Sequence, residues 1–270
     1  MCATDSPCTP EAQVELSINF FKLYEVDILS SRMVFAAWMR QIWTDPRLSF
    51  DFQCYGGMDY IEIQAQAGSE NNRIWVPDIE MYNMEEPMLS LGWRLAMVYS
   101  CWDGKPSRGG CGYVFWSRPG LLKALCRYSG LVDFPLDRLG CKLEIAGWAI
   151  DGRYQDIVVR NSDGGYNYQN KPLGPGELTS IAGLTAGSSY QDYRIDHVSA
   201  SRQVVFYDCC PQSPYPTLIY NLRFERSRNF YMEMLVIPQV VLVVLSFAEF
   251  VMDPETGERL GYGVTIILAM

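Results

Sequence analysis

Residues 217–224 read TLIYNLRF, with Leu218, Tyr220, Leu222 and Phe224 alternating with Thr217, Ile219, Asn221 and Arg223. A period of two sends successive side chains to opposite faces of an extended chain, so the segment is a strand with one buried face. The pattern recurs where Val14, Leu16, Ile18 and Phe20 alternate with Glu15, Ser17 and Asn19, and where Ile61, Ile63 and Ala65 alternate with Glu62 and Gln64. Many such short runs between 14 and about 224, punctuated by Gly, Pro, Asn and Asp, predict an all-β sandwich or barrel. Residues 105–112 (KPSRGGCG) have the composition of a hairpin turn between two strands. Residues 161–201, rich in Gly, Ser and Tyr and weakly periodic, read as an extended surface loop with room for one short strand; the only His, His197, falls within it.

Composition bounds the function. The 270 residues allow one large domain or two small ones, and 49% hydrophobic with 20% charged residues excludes a disordered chain. A net charge of -9 repels nucleic-acid phosphate and draws cations to the surface, though solubility alone also accounts for it. Nine cysteines, several in patterned positions, favour an oxidising compartment, and their odd number leaves at least one unpaired or bonded to another chain. Residues 1–13 are polar and lack the apolar run of a secretory leader, so the expectation is a leader already removed or an incomplete N-terminus.

The composition changes at 231–252, YMEMLVIPQVVLVVLSFAEFVM, which is nearly all apolar and of membrane-crossing length. Glu233, Gln239 and Glu249 are tolerable in such a helix if they face a bundle or an interface, and Pro238 predicts a kink. The alternative is a buried helix of a soluble protein. After an acidic turn at 253–258, residues 259–270 (RLGYGVTIILAM) begin a second apolar segment too short to cross a bilayer, so the sequence is expected to stop inside an element.

Two cysteine motifs carry the functional reading. In CRYSGLVDFPLDRLGC, Cys126 and Cys141 bracket a loop containing Phe134, Pro135, Leu136 and Asp137. Closing that loop would restrict the unfolded chain, as any stapling disulfide does. In YDCCPQSPY, Cys209 and Cys210 are adjacent between Tyr207 and Tyr215. Neighbouring Cα atoms lie about 3.8 Å apart, below the usual disulfide range of roughly 4.4–6.8 Å. A bond there would mark a functional site, whereas two reduced cysteines, or two bonded elsewhere, would be structural.

The first motif resembles the signature loop of the pentameric Cys-loop ligand-gated channels, and the second resembles the binding-site cap of nicotinic acetylcholine receptor α-type subunits. Further segments are similar to that family in the same order: AAWMRQIWTDPRLSF (36–50) with Trp38 and Trp43, RIWVPDIEMYN (73–83) with Tyr82, and KLEIAGWAIDG (142–152) with Trp148. The resemblance covers roughly 14–270. It implies an immunoglobulin-like, extracellular ligand-binding β-sandwich over 1–229, followed at 230–270 by the start of an α-helical transmembrane domain, with a first helix at about 231–252 and a pore helix from about 257–270.

The same resemblance implies a site for a small-molecule amine agonist. Tyr82, Trp148, Tyr207 and Tyr215 with the bonded pair Cys209–Cys210 would form the principal face, and Trp38 of a neighbouring subunit the complementary face, to which Phe115 and Ser117 align loosely. Electron-rich ring faces attract an ammonium by ~0.5–2 kcal/mol each. Both faces on one chain suit a homopentamer, with mixed assembly open. Cys126–Cys141 would be the signature disulfide. Asp27, Phe134, Pro135, Asp137 and Arg226 fall at coupling positions, while the acidic residue the family often carries after Asp27 is Ile28 here. Gly257-Glu258-Arg259 resembles the inner pore mouth of cation-selective members, where five copies of Glu258 form an acidic ring. Gly261, Thr265 and Leu268 would face the pore. Permeant cations and membrane lipid are the other partners implied, no cofactor is, and the implied location is the plasma membrane with the N-terminal domain outside. The alternative is a soluble acetylcholine-binding-protein-like pentamer, which should end near Arg226. A carbohydrate-binding or adhesion sandwich would scatter its aromatics. An enzyme is not indicated, since no Ser/His/Asp set, metal cluster or phosphate loop is present, and Cys209, Cys210 and His197 make at most a partial metal site. Cys101 and Cys111 could bridge across the 105–112 hairpin; Cys2, Cys8 and Cys54 have no counterpart in the family.

Overall fold

The computed structural model describes residues 12–66, 72–86, 89–90, 95–102, 105–106, 111–160, 166–168, 193–226, 231–251 and 258–269. Cys2, Cys8, Gly257 and most of the predicted 161–201 loop lie outside these residues. The strands are β1 (Ala12–Asp27), β2 (Arg32–Thr44), β3 (Tyr60–Gln64), β4 (Glu80–Met81), β5 (Leu89–Ser90), β6 (Leu95–Tyr99), β7 (Cys101–Trp102), β8 (Lys105–Pro106), β9 (Tyr113–Leu125), β10 (Arg138–Ala146), β11 (Gln155–Val159), β12 (Tyr166–Tyr168), β13 (Tyr193–Tyr207) and β14 (Cys210–Arg226).

They form two layers. The first sheet runs β11-β1-β2-β9-β6-β3, with β12 also on β1 and β5 on β9. The second runs β13-β14-β10-β4. Among the described strands β11 and β12 pair in parallel, both with β1, and the other strand pairs are antiparallel. The residues singled out by alternation meet in the middle: Val14, Leu16 and Ile18 from one sheet and Leu218, Tyr220 and Phe224 from the other are fully buried. The Phe20 ring joins the layers, 5.3 Å from Phe35 in its own sheet and 6.4 Å from Tyr220 across the core. Burying each such side chain contributes about 1.5–3 kcal/mol, which makes this inner face the main source of stability. The Cys126–Cys141 disulfide also spans the layers, from the residue after β9 to the middle of β10, with both cysteines buried.

Three details differ from the sequence reading. Ser17 and Asn19, expected on a solvent face, are buried, and Asn19 lies beside the Arg40 guanidinium. His197 is not in a loop but on β13, and that strand occupies 193–201 of the predicted loop. Its alternation is hidden by a register shift between Ile195 and His197, so that Tyr193, Ile195 and Val198 share the core. A bulge of this kind breaks the period of two while keeping the strand paired. The predicted hairpin is present as the β6–β9 connection, stapled by Cys101–Cys111, and its two-stranded ribbon is β7 with β8.

Beyond Arg226 the described chain is helical: a π turn (Met232–Val236), α1 (Ile237–Ser246), a 3₁₀ turn (Phe247–Phe250) and α2 (Glu258–Ala269). Pro238 lies in the first turn of α1, directly after the π turn, where a residue without an N–H is accommodated by rewinding the preceding backbone. Among the described residues no helix is long and apolar enough to cross a membrane. Val240, Val244, Phe247, Phe250 and Leu268 are nonetheless more than half exposed.

Candidate ligand-binding site and its coupling end

Four of the predicted ligand-contact aromatics converge at one end of the β13-β14-β10-β4 sheet. Tyr82 follows β4, Trp148 lies in the loop after β10, and Tyr207 and Tyr215 stand on the hairpin that joins β13 to β14. Tyr82 and Trp148 meet edge to face at 6.1 Å between centroids, and Tyr207 and Tyr215 do so at 5.3 Å. Tyr82 connects the two pairs. Burial pushes its phenol pKa up, and the adjacent Tyr207 and Tyr215 hydroxyls add to the rise. Its own hydroxyl donates to the Gly147 carbonyl at 2.7 Å. Trp148 is 74% exposed and Tyr207 40%, so rings of this cluster are open to an incoming molecule. Cys209 and Cys210 are disulfide-bonded to each other at the hairpin tip.

The Trp148 loop is held by residues to which the sequence assigned no role. The Asp78 carboxylate accepts from the amides of Ala149 and Ile150 at 2.6 and 2.9 Å. Gln155 binds the Asp78 backbone in both directions, accepting from its N–H at 2.9 Å and donating to its carbonyl at 2.7 Å. Asn83 donates to the carbonyls of Leu125 and Lys142 and accepts from the amide of Glu144, which fixes the backbone next to Tyr82. Asp78 and Asn83 both lie in RIWVPDIEMYN, so the clue was their place inside a segment already marked by Tyr82.

The same loop is clasped to the cap hairpin. The Gly152 amide donates to the Pro214 carbonyl at 2.6 Å. A Cβ on Gly152 would meet the Pro216 ring at 2.8 Å, so the approach needs glycine. Asp151, buried and paired with Arg153 at 2.6 Å, turns that guanidinium so that it also donates to the Ser213 hydroxyl at 3.1 Å. The Arg153 hydrogen bond holds the Asp151 carboxyl down at about 2.

Trp38 is not part of this cluster. It lies on β2 in the other sheet, 37% exposed, with the Arg40 guanidinium 5.8 Å from its ring. The cross-strand register places Ser117 opposite Arg40 and Phe115 opposite Ile42 on the same sheet.

At the opposite end of the second sheet, the predicted coupling residues Phe134, Asp137 and Arg226 come together. The Arg226 guanidinium donates from Nε to Asp137 Oδ1 at 2.6 Å and from Nη2 to Oδ2 at 3.0 Å. Asp137 is fully buried and Arg226 is 9% exposed, so a surface role for the arginine is excluded. Burial is the largest single effect and opposes its charge, but the Asp137 hydrogen bond and charge together with the Tyr193 and Tyr231 phenols outweigh it, and the guanidinium pKa is raised. Three rings surround the cation, Tyr193 at 4.6 Å, Tyr231 at 4.9 Å and Phe134 at 5.0 Å. The Phe134–Pro135 peptide bond is cis. Asp27 behaves differently: its carboxylate caps its own turn, accepting from the Leu29 and Ser30 amides and from the Ser30 hydroxyl at 2.6 Å. Ile28 packs against the core.

Glu258 opens α2, and Gly261, Thr265 and Leu268 follow at spacings that keep them on one helix face, exposed, with the Thr265 hydroxyl donating to the Gly261 carbonyl at 2.8 Å.

A two-layer sandwich with a buried cross-layer disulfide loop and an aromatic cluster under a vicinal-disulfide hairpin defines a ligand-binding domain of the Cys-loop channel class. The chain belongs to that family: the neurotransmitter-gated ion-channel ligand binding domain matches residues 5–228. Among relatives, it is 28% identical over 260 residues to the neuronal acetylcholine receptor subunit alpha-9 of Gallus gallus, covering 95% of this chain and 46% of the relative. It is 26% identical over 259 residues to the Homo sapiens neuronal subunit alpha-10, covering 95% and 49%, and 24% identical over 266 residues to the Caenorhabditis elegans acetylcholine receptor subunit alpha-type unc-38, covering 95% and 48%. The chain thus spans about half the length of the relatives it matches. These relatives are receptor subunits and not enzymes.

Proposed function

We propose that the chain is part of a subunit of a cation-selective, neurotransmitter-gated channel that binds an acetylcholine-like amine between subunits. The observation that carries this is the convergence of Tyr82, Trp148, Tyr207 and Tyr215 beside Cys209–Cys210, with exposed ring surface and no cationic side chain over any of the four among the described residues. Such an array is complementary to a quaternary or protonated amine. Trp38, on the other sheet, suits the complementary face of a neighbouring subunit in a homo- or heteropentamer. An agonist with higher affinity for the closed cap shifts the population toward the open channel.

In this reading residues 1–229 are extracellular and 230–270 begin the membrane domain at the plasma membrane. The exposed apolar side chains of α1 and α2 support it, because water disfavours such a surface and lipid or neighbouring helices would cover it. Glu258 at the start of α2, with Gly261, Thr265 and Leu268 on its face, supports a cation pathway. Asp137, Phe134, Pro135 and Arg226 link the sandwich to the helices, with Tyr231 already against Arg226 and Phe134. The testing experiment is a titration of the chain with acetylcholine and choline, followed by Trp fluorescence. Saturable quenching that disappears in Trp148→Ala is the expected result. A folded chain that shows no response would move the ligand to another chemical class.

A further inference from the structure

A second concavity, of about 600 Å³, lies on the other side of the Trp148 loop, where the end of β2 and the 3₁₀ turn Pro46–Leu48 approach it. That volume is within the range of small-molecule sites, roughly 300–1,000 Å³. Its wall is aromatic. Trp43 and Trp75 meet edge to face at 6.0 Å, and Tyr154 stands 58% exposed beside them, with Ile150 completing the apolar side. Trp43 is only 3% exposed and backs Trp75, so Trp75 and Tyr154 are the rings left to meet a planar aromatic molecule by offset or edge contacts.

The charges at the rim select its sign. The Asp45 carboxylate is only 8% exposed and is saturated by Arg47, accepting from the backbone N–H at 3.1 Å, from Nε at 2.8 Å and from Nη2 at 2.7 Å. An incoming amine therefore finds no open carboxylate there. The Arg47 side chain is 76% exposed, and its Nη1 takes no part in the Asp45 contacts. An arginine fork matches a carboxylate in two-point geometry. In the Asp45–Arg47 pair the anion is the buried partner and the cation the exposed one, so the pair presents its positive end at the rim.

We propose that this cleft is a second ligand site, distinct from the Tyr82–Trp148–Tyr207–Tyr215 cluster, and that it takes a planar aromatic carboxylate held by the Tyr154–Trp75 wall and the Arg47 guanidinium. Ile150 and Tyr154 belong to the loop that carries Trp148, and the Ile150 amide is fixed by Asp78. Occupancy of the cleft therefore bears on the orientation of Trp148. That coupling rests on the amine-receptor reading above; binding at the cleft does not.

The test is calorimetric titration of the whole chain with 2-naphthoate, with 2-naphthalenemethanol as the uncharged comparison. The expected result is saturable binding of naphthoate, weakened roughly tenfold by Arg47→Met or by replacing the carboxylate with the alcohol, and weakened also by Tyr154→Ala. Tyr154→Ala leaves the Asp45–Arg47 pair intact, so it remains decisive if Arg47→Met fails to fold. Absence of saturable binding, or affinity unchanged in Tyr154→Ala, overturns the site. Repeating the titration in acetylcholine separates the two claims. An apparent Kd that shifts and then levels off shows two coupled sites. One that rises without limit places the naphthoate among the four rings and overturns the proposal. If acetylcholine binds nowhere, the amine reading fails while naphthoate binding still stands or falls on Tyr154→Ala.

Discussion

Two aromatic arrays sit at opposite ends of the same sheet, and they differ in whether a cation of the chain lies over the ring faces and in how far the centre of the array is buried. At the end beside Arg226, Tyr193, Tyr231 and Phe134 surround its guanidinium at 4.6–5.0 Å, and Asp137 neutralises it. At the cap end Tyr82 and Trp148 meet at 6.1 Å and Tyr207 and Tyr215 at 5.3 Å with no cation over the ring faces among the described residues, the nearby Arg153 being turned to Asp151 and Ser213. The first array closes on a buried centre, since Arg226, Asp137 and Tyr193 are buried although Phe134 is 49% exposed, whereas in the second Trp148 is 74% and Tyr207 40% exposed. Filled by the chain's own ion pair, an aromatic cage is a structural joint; open, it is complementary to a charge from outside. The comparison is broken most directly by emptying the first. Arg226→Ala leaves Asp137 with no counter-ion at full burial, which costs about 3–5 kcal/mol. A thermal or denaturant unfolding curve should show it, and a loss below ~1 kcal/mol would mean that water reaches Asp137 and that the joint is not closed.

The open array should respond in the opposite way. Trp148→Ala removes a ring that is 74% exposed, so the unfolding midpoint should hold while amine affinity drops. One cation–π partner is worth ~0.5–2 kcal/mol, or about 2–30-fold in Kd. A variant that loses stability and keeps its affinity would make Trp148 a packing residue and erase the distinction between the two arrays. Tyr82→Phe lies between these cases. It keeps the ring facing Trp148 and deletes only the hydroxyl that donates to Gly147, a bond worth ~0.5–1.5 kcal/mol. Both stability and affinity should fall slightly, because that bond anchors the Trp148 loop. An affinity loss with no stability change would instead assign the hydroxyl to the ligand.

Much of the scaffold was legible because burial and polarity alternate together in Leu218, Tyr220, Leu222 and Phe224 and in Val14, Leu16, Ile18 and Phe20. Where they part, the reading failed. Polarity at Ser17 and Asn19 suggested solvent, but a polar face can also be covered when its groups find partners such as Arg40. On β13 the register shift after Ile195 erased the period on which a strand is recognised. The four rings were legible through family resemblance and not through spacing, since Tyr82 and Trp148 are far apart in the chain. Their supports were not. Asp78 reaches amides more than seventy residues away, and the need for glycine at 152 arises only because Pro216 is folded against it. Long-range contacts of this kind leave no local pattern.

The smallest effect expected is at the clasp between the Trp148 loop and the cap, and pH reaches it without mutation. The Arg153 hydrogen bond lowers the Asp151 carboxyl from its ordinary 3.8 to about 2. A pKa depressed in the folded state contributes stability that is complete above the unfolded value and fades as pH falls through the folded one. The clasp should therefore be intact near neutrality and weaken between about pH 4 and pH 2. When Asp151 takes a proton, Arg153 loses the partner that aims it at Ser213, and the cap hairpin retains the Gly152–Pro214 backbone bond. Arg153 is about half exposed, so solvent screens the pair and the change should be only a few-fold in cap opening. Hydrogen exchange at the Gly152 amide would read it directly. Once corrected for the intrinsic pH dependence of exchange, its protection should decline in acid in the parent chain and already be reduced near neutral pH in Arg153→Ala. Equal protection in both chains across that range would show that the backbone bond alone closes the cap. The open array would then be gated only by its ligand.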